Sequence, residues 1–432
     1  MVAITERPWS WWTTRYNLAE PEASIPPARL ADRVTVVLFL VALVAGFAQF
    51  GAITSLNDVA KHFGHLSSTS SLRSVVGLSG SMLGLGLAAL RLASLGSLPL
   101  ASLADRWGRK KVLQRTIVLG LLATAAAALS PSYWVFVLCF AFARPLLSAA
   151  STLVQVVTVE LSSTGRRINR LVIMAAGAGM GAGFSAILHS VIRGPDSFRW
   201  LFSLALLPVL VIVPMLRTIP EPQQRSGDAP LARLGTVPRA LRGRLAIVAT
   251  VAFAVGMITG PANGFTFVYG EGVLKMSPGE VATVVTLSAF TGLAGLLLSQ
   301  RLSRTVGRRW TVALGVVATA LTATFAYSGG RTNFIIGYMV GIGAGGLLSP
   351  ALTAISTEIF THTVRATAAG WIVVFGVVGA VAGLVLFGWV GDIVHTSSQS
   401  ALRLPAMVTF LPFLPTLLLL KRLPESSRMA LT

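Results

Sequence analysis

Two arginines sit where arginines are costly. Arg91 lies in Gly86-Leu-Ala-Ala-Leu-Arg91-Leu-Ala-Ser94 and Arg144 in Phe142-Ala-Arg144-Pro145, each inside a long apolar run. At 1.5 Å per helical residue, Arg91 is about 18 Å from the end of its run at Leu103, and Arg144 about 15 Å into its own. An ionisable group at such depth is a functional candidate by default. Two guanidiniums facing one cavity would attract a carboxylate or phosphate, because the planar fork of donors fits both groups. The rival reading is structural: each Arg bonds to backbone carbonyls or to Gln49, and Arg144 serves proton exchange. Snorkelling to an interface is disfavoured by the depth. Gln49, Asn263, Tyr269 and Tyr338 are the other polar side chains placed to touch a solute, with Asn263 following Gly260-Pro261 where a helix break would bare backbone groups. Acids are missing: Asp58, Glu160, Glu271 and Glu358 all lie near the ends of runs, so no proton-coupling carboxylate is visible at mid-depth. Asp105 or His189 would have to serve, or coupling is absent; for His189 a satisfied structural histidine is the simpler reading.

The elements that must hold these residues are membrane helices. The chain has 432 residues, 54% hydrophobic and 12% charged, with a mean hydropathy of +0.75, outside the soluble range. About 20 apolar residues cross the hydrocarbon core. Twelve runs qualify, near 34–56, 77–103, 112–130, 134–158, 171–192, 198–217, 245–270, 280–302, 311–329, 333–357, 365–391 and 404–420. The predicted fold is therefore all-α and integral to a membrane. The net charge of +20 does not indicate nucleic acid, because the basic residues occupy short loops between apolar runs. With the N-terminus inside, only Lys61, Arg73, Arg193, Arg199, Lys275, Arg331 and Arg403 fall outside, which predicts both termini in the cytoplasm. The lone Cys139 allows no internal disulfide, and the five histidines show no ligand spacing. There is no Gly-Lys-Ser phosphate loop and no catalytic triad. An enzyme, a cofactor and a resident metal are not expected.

The boundaries follow. Residues 1–33 carry Pro8, Pro21, Pro26 and Pro27 and no apolar core, so they read as a cytoplasmic tail. Trp9, Trp11 and Trp12 there either rest at headgroup level or belong to a disordered segment. A first bundle spans 34–217, a basic linker 218–244, a second bundle 245–420, and a tail 421–432. The bundles read as repeats. Asp105-Arg-Trp-Gly108-Arg109-Lys110 is echoed by Arg304-Thr-Val-Gly307-Arg308-Arg309, Glu160…Arg167 by Glu358…Arg365, and Arg217-Thr-Ile-Pro220-Glu221 by Lys421-Arg-Leu-Pro424-Glu425. A duplicated six-helix unit predicts a solute site between the halves near the midplane. Glycine pairs Gly80/Gly84, Gly177/Gly181, Gly179/Gly183 and Gly379/Gly383 predict close helix contacts.

Leu103-Ala104-Asp105-Arg106-Trp107-Gly108-Arg109-Lys110 resembles the loop between helices 2 and 3 of the major facilitator superfamily, with Ala101 where the family has Gly. Thr357-Glu358-Ile-Phe-Thr361-His-Thr-Val-Arg365-Ala-Thr367 resembles the helix 10–11 segment of its sugar, aromatic-acid and metabolite-proton symporter branches, with Thr361 in place of Pro. The resemblance implies twelve transmembrane helices in two pseudo-symmetric six-helix bundles that rock about a central site, usually as a monomer. It implies a plasma-membrane secondary transporter of a small organic anion or polar metabolite, with protons as a candidate coupling ion. It places Asp105, with Arg106, Gly108 and Arg109, in an inner gate in which Asp105 docks on the start of helix 11 near Arg365. Glu358 and Arg365 straddle the preceding turn and either pair across it or cap it. Arg144 matches in place a helix-4 arginine of several branches, although the Gln and Gly that follow it there are absent. Glycines on helices 2, 5 and 11 are expected at the moving interface between halves. An exporter of toxic amphipathic compounds is the main alternative, disfavoured because the Gly-Pro-x-x-Gly-Gly signature of drug antiporters is missing from helix 5. A membrane sensor is a remote one, with little tail to signal through.

Overall fold

The computed structural model describes residues 28–64, 76–162, 166–192, 194, 196–221, 237–360, 362–394, 400–410 and 413–422. The N-terminal tail before residue 28, most of the basic linker and the end of the C-terminal tail lie outside the described residues. The helices are α1 (Ala28–Thr54), α2 (Gly80–Trp107), α3 (Arg109–Leu129), α4 (Tyr133–Glu160), α5 (Arg167–Val191), α6 (Ser197–Arg217), α7 (Arg239–Gly264), α8 (Pro278–Thr305), α9 (Arg308–Ala326), α10 (Arg331–Glu358) and α11 (His362–Ile393). A short helix, Leu56–Phe63, follows α1. Among the described residues eleven helices are long and apolar enough to cross a membrane. The twelfth predicted run is present as α12 (Arg403–Phe410) and α13 (Phe413–Leu420). No strand occurs among the described residues.

Backbone glycines set the sharpest reversals. The loop expected between the second and third runs contracts to a single residue, Gly108, with φ +94°; Gly307 repeats it between α8 and α9 with φ +98°. Both angles lie in the left-handed region, where a Cβ is strained. Gly108 therefore swings the chain directly from the end of α2 into α3, leaving Asp105 and Arg106 on one helix and Arg109 on the next.

The repeat read from sequence is realised in side-chain contacts. Arg109 forms an ion pair with Glu160 in the first half, and Arg308 forms one with Glu358 in the second. Lys110 Nζ donates to the Arg217 carbonyl at 3.0 Å, and Arg309 Nη1 donates to the Lys421 carbonyl at 3.3 Å. These bonds tie the start of the third helix of each half to the ends of its fourth and sixth. Of the two readings offered for Glu358 and Arg365, the pairing across the turn is not made: Glu358 pairs with Arg308 instead.

The two halves meet at the end opposite the basic loops, called here the outer end. A Cβ at Gly84 would run into the Leu384 carbonyl of α11, and one at Gly388 into the Gly80 carbonyl of α2, so these backbones touch. Only Gly80–Ala93 of α2 packs extensively on α11; its basic part, Ser97–Trp107, does not. Not every glycine stripe joins the halves. Gly177 and Gly181 of α5 pack on α1, and Gly379 and Gly383 of α11 on α7, each within its own bundle, whereas Gly183 faces Thr286 of α8 across the divide. Close packing thus builds the bundles as much as it guides their sliding, which corrects the expectation from spacing.

Candidate functional site

The site begins where α1 crosses α4. Gln49 Nε2 donates to Ser151 Oγ at 3.0 Å and to the Leu147 carbonyl at 3.5 Å, while Ser148 Oγ donates to Gln49 Oε1 at 3.4 Å. These bonds satisfy the amide and clamp the two helices. Arg144 Nη1 donates to the Gln49 backbone carbonyl at 3.3 Å, and its Nε is buried without a hydrogen-bond acceptor. Pro145 follows directly. It has no N–H for the Ala141 carbonyl one turn back, which loosens α4 beside the arginine.

Arg91 approaches from α2. The helix tightens into a 3₁₀ turn over Ser94–Gly96, and Ser94 Oγ donates to the Arg91 carbonyl at 2.6 Å. A Cβ on Gly96 would meet the Pro145 ring at 3.0 Å, so the turn seats on the irregular stretch of α4. The Arg91 guanidinium has no hydrogen bond or ion pair among the described residues, and its charge acts on that of Arg144.

Arg91, Arg144 and Gln49 line one small cavity, with about 30 Å³ of room in this conformation. Leu87, Leu90, Phe140 and Leu147 supply apolar wall from the first half, and Gly260, Gly264 and Leu384 close it from the second. Among the described residues no carboxylate lines it. Two cations among hydrocarbon, without counter-charge, carry a desolvation cost of several kcal/mol each in general. A ligand with one or two carboxylates and a short apolar body is the complement of this surface.

Three other predicted contacts are placed elsewhere. Asn263 Nδ2 donates back to the Thr259 carbonyl of its own helix at 2.9 Å, and Asn263 does not line the cavity. Tyr269 is fully buried against Tyr327 and Phe334, with ring centroids 4.8 and 5.8 Å away. Tyr338 lies beside Phe334 in the same aromatic cluster, ring centroids 5.9 Å apart. The expected break in the seventh run occurs after Pro261: α7 ends at Gly264, and a π-turn, Val268–Val273, follows. The Tyr327 hydroxyl donates to the Ala262 carbonyl at 2.9 Å and so satisfies a group the break exposes.

At the basic end, Asp105 accepts from Arg109 Nη2 at 2.9 Å rather than docking on α11, and Arg106 is exposed. Arg365, half-buried, has an Nε without an acceptor. The predicted inner latch is therefore unmade in this conformation. A latch is made at the other end by residues the sequence reading missed. Asp392, near the end of α11, accepts from Gly80 N at 2.6 Å, Ser81 N at 2.8 Å and Ser81 Oγ at 2.5 Å, capping the N-terminus of α2. A second cross-half contact joins Asn57 to Glu271, with Nδ2 donating to Oε2 at 3.0 Å. Both acids sit at run ends, where a sequence shows a boundary and not the partner across it.

A sequence profile of the Major Facilitator Superfamily matches residues 38–277 and 245–430. Among curated relatives, the probable 4-methylmuconolactone transporter of Cupriavidus pinatubonensis is 23% identical over 301 residues, covering 66% of this chain and 69% of its own. The cis,cis-muconate transport protein of Acinetobacter baylyi is 25% identical over 314 residues, covering 66% and 75%. Among solved structures, an inward-facing bacterial homolog of the human lysosomal transporter Spinster superposes with a TM-score of 0.72 at 16% identity, covering 94% of this chain and 98% of its own. The inward-open xylose transporter XylE from E. coli gives 0.68 at 16% identity, covering 91% and 97%. At these identities the structural matches speak for the fold.

Proposed function

The chain belongs to the Major Facilitator Superfamily, and on that premise we propose that this secondary transporter carries a small organic carboxylate, held by Arg91 and Arg144. The observation that carries the reading is the convergence of both arginines on one apolar cavity with no carboxylate in its lining. Arg91, with its donors uncommitted among the described residues, meets the first carboxylate. Arg144, anchored through the Gln49 carbonyl, faces a second carboxylate or shares the first. Leu87, Leu90 and Phe140 cover the carbon skeleton, so charge fixes orientation and the wall sets size. The name of one curated relative agrees with this chemistry, since muconate is a six-carbon dicarboxylate.

Transport then follows from rocking the bundles 34–217 and 245–420, joined by the linker 218–244, about that cavity. The excess of Lys and Arg at one end supports the reading of a plasma-membrane protein with that end, and both termini, in the cytoplasm. Protons are the proposed coupling ion and the monomer the working unit; catalysis plays no part. Export of amphipathic cations is the poorer fit, because such a solute would enter a site already holding two positive charges.

The test is a thermal-shift screen of purified protein against mono- and dicarboxylates, sugars, phosphates and cationic dyes. At a ligand concentration of 100 Kd, binding adds about 2.7 kcal/mol to apparent stability. Stabilisation by carboxylates that falls to about 0.4–1.4 kcal/mol in Arg91→Ala, as a tenfold to hundredfold loss of affinity requires, supports the reading. Stabilisation by cationic dyes that survives the substitution defeats it.

A further inference from the structure

The outer end holds a second cluster of titratable groups, far from the arginines in sequence and built from both halves. His189, near the end of α5, is 1% exposed in its side chain. Its Nε2 is hydrogen-bonded to Glu271 Oε1 at 3.0 Å, while its Nδ1, buried without a hydrogen-bond partner, lies at ion-pair distance, 3.6 Å, from Asp58 Oδ2. Asp58 belongs to the short helix after α1, Glu271 to the π-turn after α7, so the ring bridges the divide. We propose that His189, clamped between Asp58 of its own half and Glu271 of the other, is a proton-binding site that locks the outer end shut when occupied.

A neutral imidazole offers one N–H and one lone pair; the imidazolium offers two N–H groups. With a carboxylate at each ring nitrogen, the neutral ring must turn a lone pair toward an anion, and only the charged ring suits both. The other oxygen of Glu271 is already taken by Asn57 Nδ2, so this buried carboxylate depends on first-half residues for both of its contacts. Asp58 is itself fixed, accepting from Ser197 Oγ at 2.5 Å. Parting the halves withdraws Glu271 and admits water, which leaves His189 an ordinary histidine beside one carboxylate. The shut state therefore holds the proton more tightly than the parted state. By linkage, protons favour the shut state to the same degree.

The remaining charges set the sign and the window. The short helix also brings the positive charge of Lys61 near the ring. His62 on the same helix pairs with Asp196 at 3.3 Å, and Arg199 stands beside both. The π-turn is followed by Lys275, which feels Lys61 in turn. Phe267 packs edge-on against the ring at 5.7 Å between centroids and contacts Phe50 of α1. The same three residues offer atoms within 4.8 Å of one another that suit a divalent cation. The two ring nitrogens, however, address different carboxylates, so the three groups do not converge on one lone pair. A proton fits this arrangement better than a metal.

The inference needs only the alternating movement of the halves, not the carboxylate reading, and its test uses no transported ligand. Nitroxide labels at Pro131→Cys, in the exposed outer loop before α4, and at Thr332→Cys, exposed in the first turn of α10, report the separation of the two halves by pulsed electron resonance once Cys139 is replaced by Ser. In the full chain in nanodiscs, raising pH from about 5 to 8 should open the outer end, with the shut-to-open ratio falling at most about tenfold per pH unit for one linked proton. His189→Gln, which cannot titrate here, should flatten the response. Glu271→Gln should flatten it and open the outer end at every pH, which keeps the proposal testable if His189→Gln does not fold. A label distance indifferent to pH, a pH response retained in either variant, or a closure that requires added Zn²⁺ and ignores pH would overturn the proposal.

Discussion

Asp392→Asn should open the outer end by an amount the geometry sets. The Asp392 carboxylate accepts two backbone N–H groups of α2 and the Ser81 hydroxyl, between 2.5 and 2.8 Å. A negative charge at a partly buried helix N-terminus contributes up to about 2 kcal/mol, and charge-assisted hydrogen bonds are roughly twice as strong as neutral ones. Asn keeps an acceptor oxygen but loses the charge and the second acceptor. A loss of about 2 kcal/mol follows for the shut state. Little is lost in the parted state, where water takes over the same groups. Since 1.4 kcal/mol is tenfold, the shut-to-open ratio should fall about 30-fold. A population shut about 100 to 1 would become about 3 to 1, visible as a second distance peak between the outer-loop labels. If the variant folds with unchanged thermal stability and shows the wild-type distance distribution, the helix cap does not hold the outer end and the reasoning fails.

Other consequences are equally concrete. Arg91→Ala and Arg144→Ala should each weaken carboxylate binding about tenfold to a hundredfold, the worth of a hydrogen bond to a charged group, as read by calorimetric titration. Arg91→Lys should recover only part of this, because a single ammonium lacks the bidentate fork. Gly388→Val should hold the outer end apart in the label assay, since its side chain would enter the Gly80 carbonyl. Tyr327→Phe should lower stability by only about 0.5–1.5 kcal/mol in a denaturation experiment, because the Ala262 carbonyl loses one hydroxyl donor and keeps Thr266 Oγ1 at 3.0 Å.

Hydropathy exposed the helices because lipid requires each span to satisfy its own backbone, so every span announces itself in composition. The internal repeat was legible for a related reason. Gly108 and Gly307, Arg109 and Arg308, Glu160 and Glu358 perform the same local task twice, and a task done twice leaves the same letters. Arg91 and Arg144 stood out because charge at mid-depth is rare. The polar candidates fared differently. Asn263 bonds to its own helix and Tyr269 fills a core, since a polar letter in an apolar run does not reveal which way its side chain turns. The outer latches were illegible because Gly80 and Asp392, or Asn57 and Glu271, lie 312 and 214 positions apart. Only the packing of one half on the other brings them together. Gly270-Glu271-Gly272 did hold a faint signal: an acid flanked by glycines, just past a proline-loosened helix.

The central claim is that Arg91 and Arg144 hold a carboxylate, and calorimetric titration of the purified protein with cis,cis-muconate and its dimethyl ester tests it most directly. The two share a carbon skeleton and differ in charge. The account predicts saturable binding of the dicarboxylate, none of the ester at the same concentrations, and loss of the dicarboxylate signal in Arg91→Ala. Equal binding of acid and ester, or dicarboxylate binding untouched by Arg91→Ala, would contradict it.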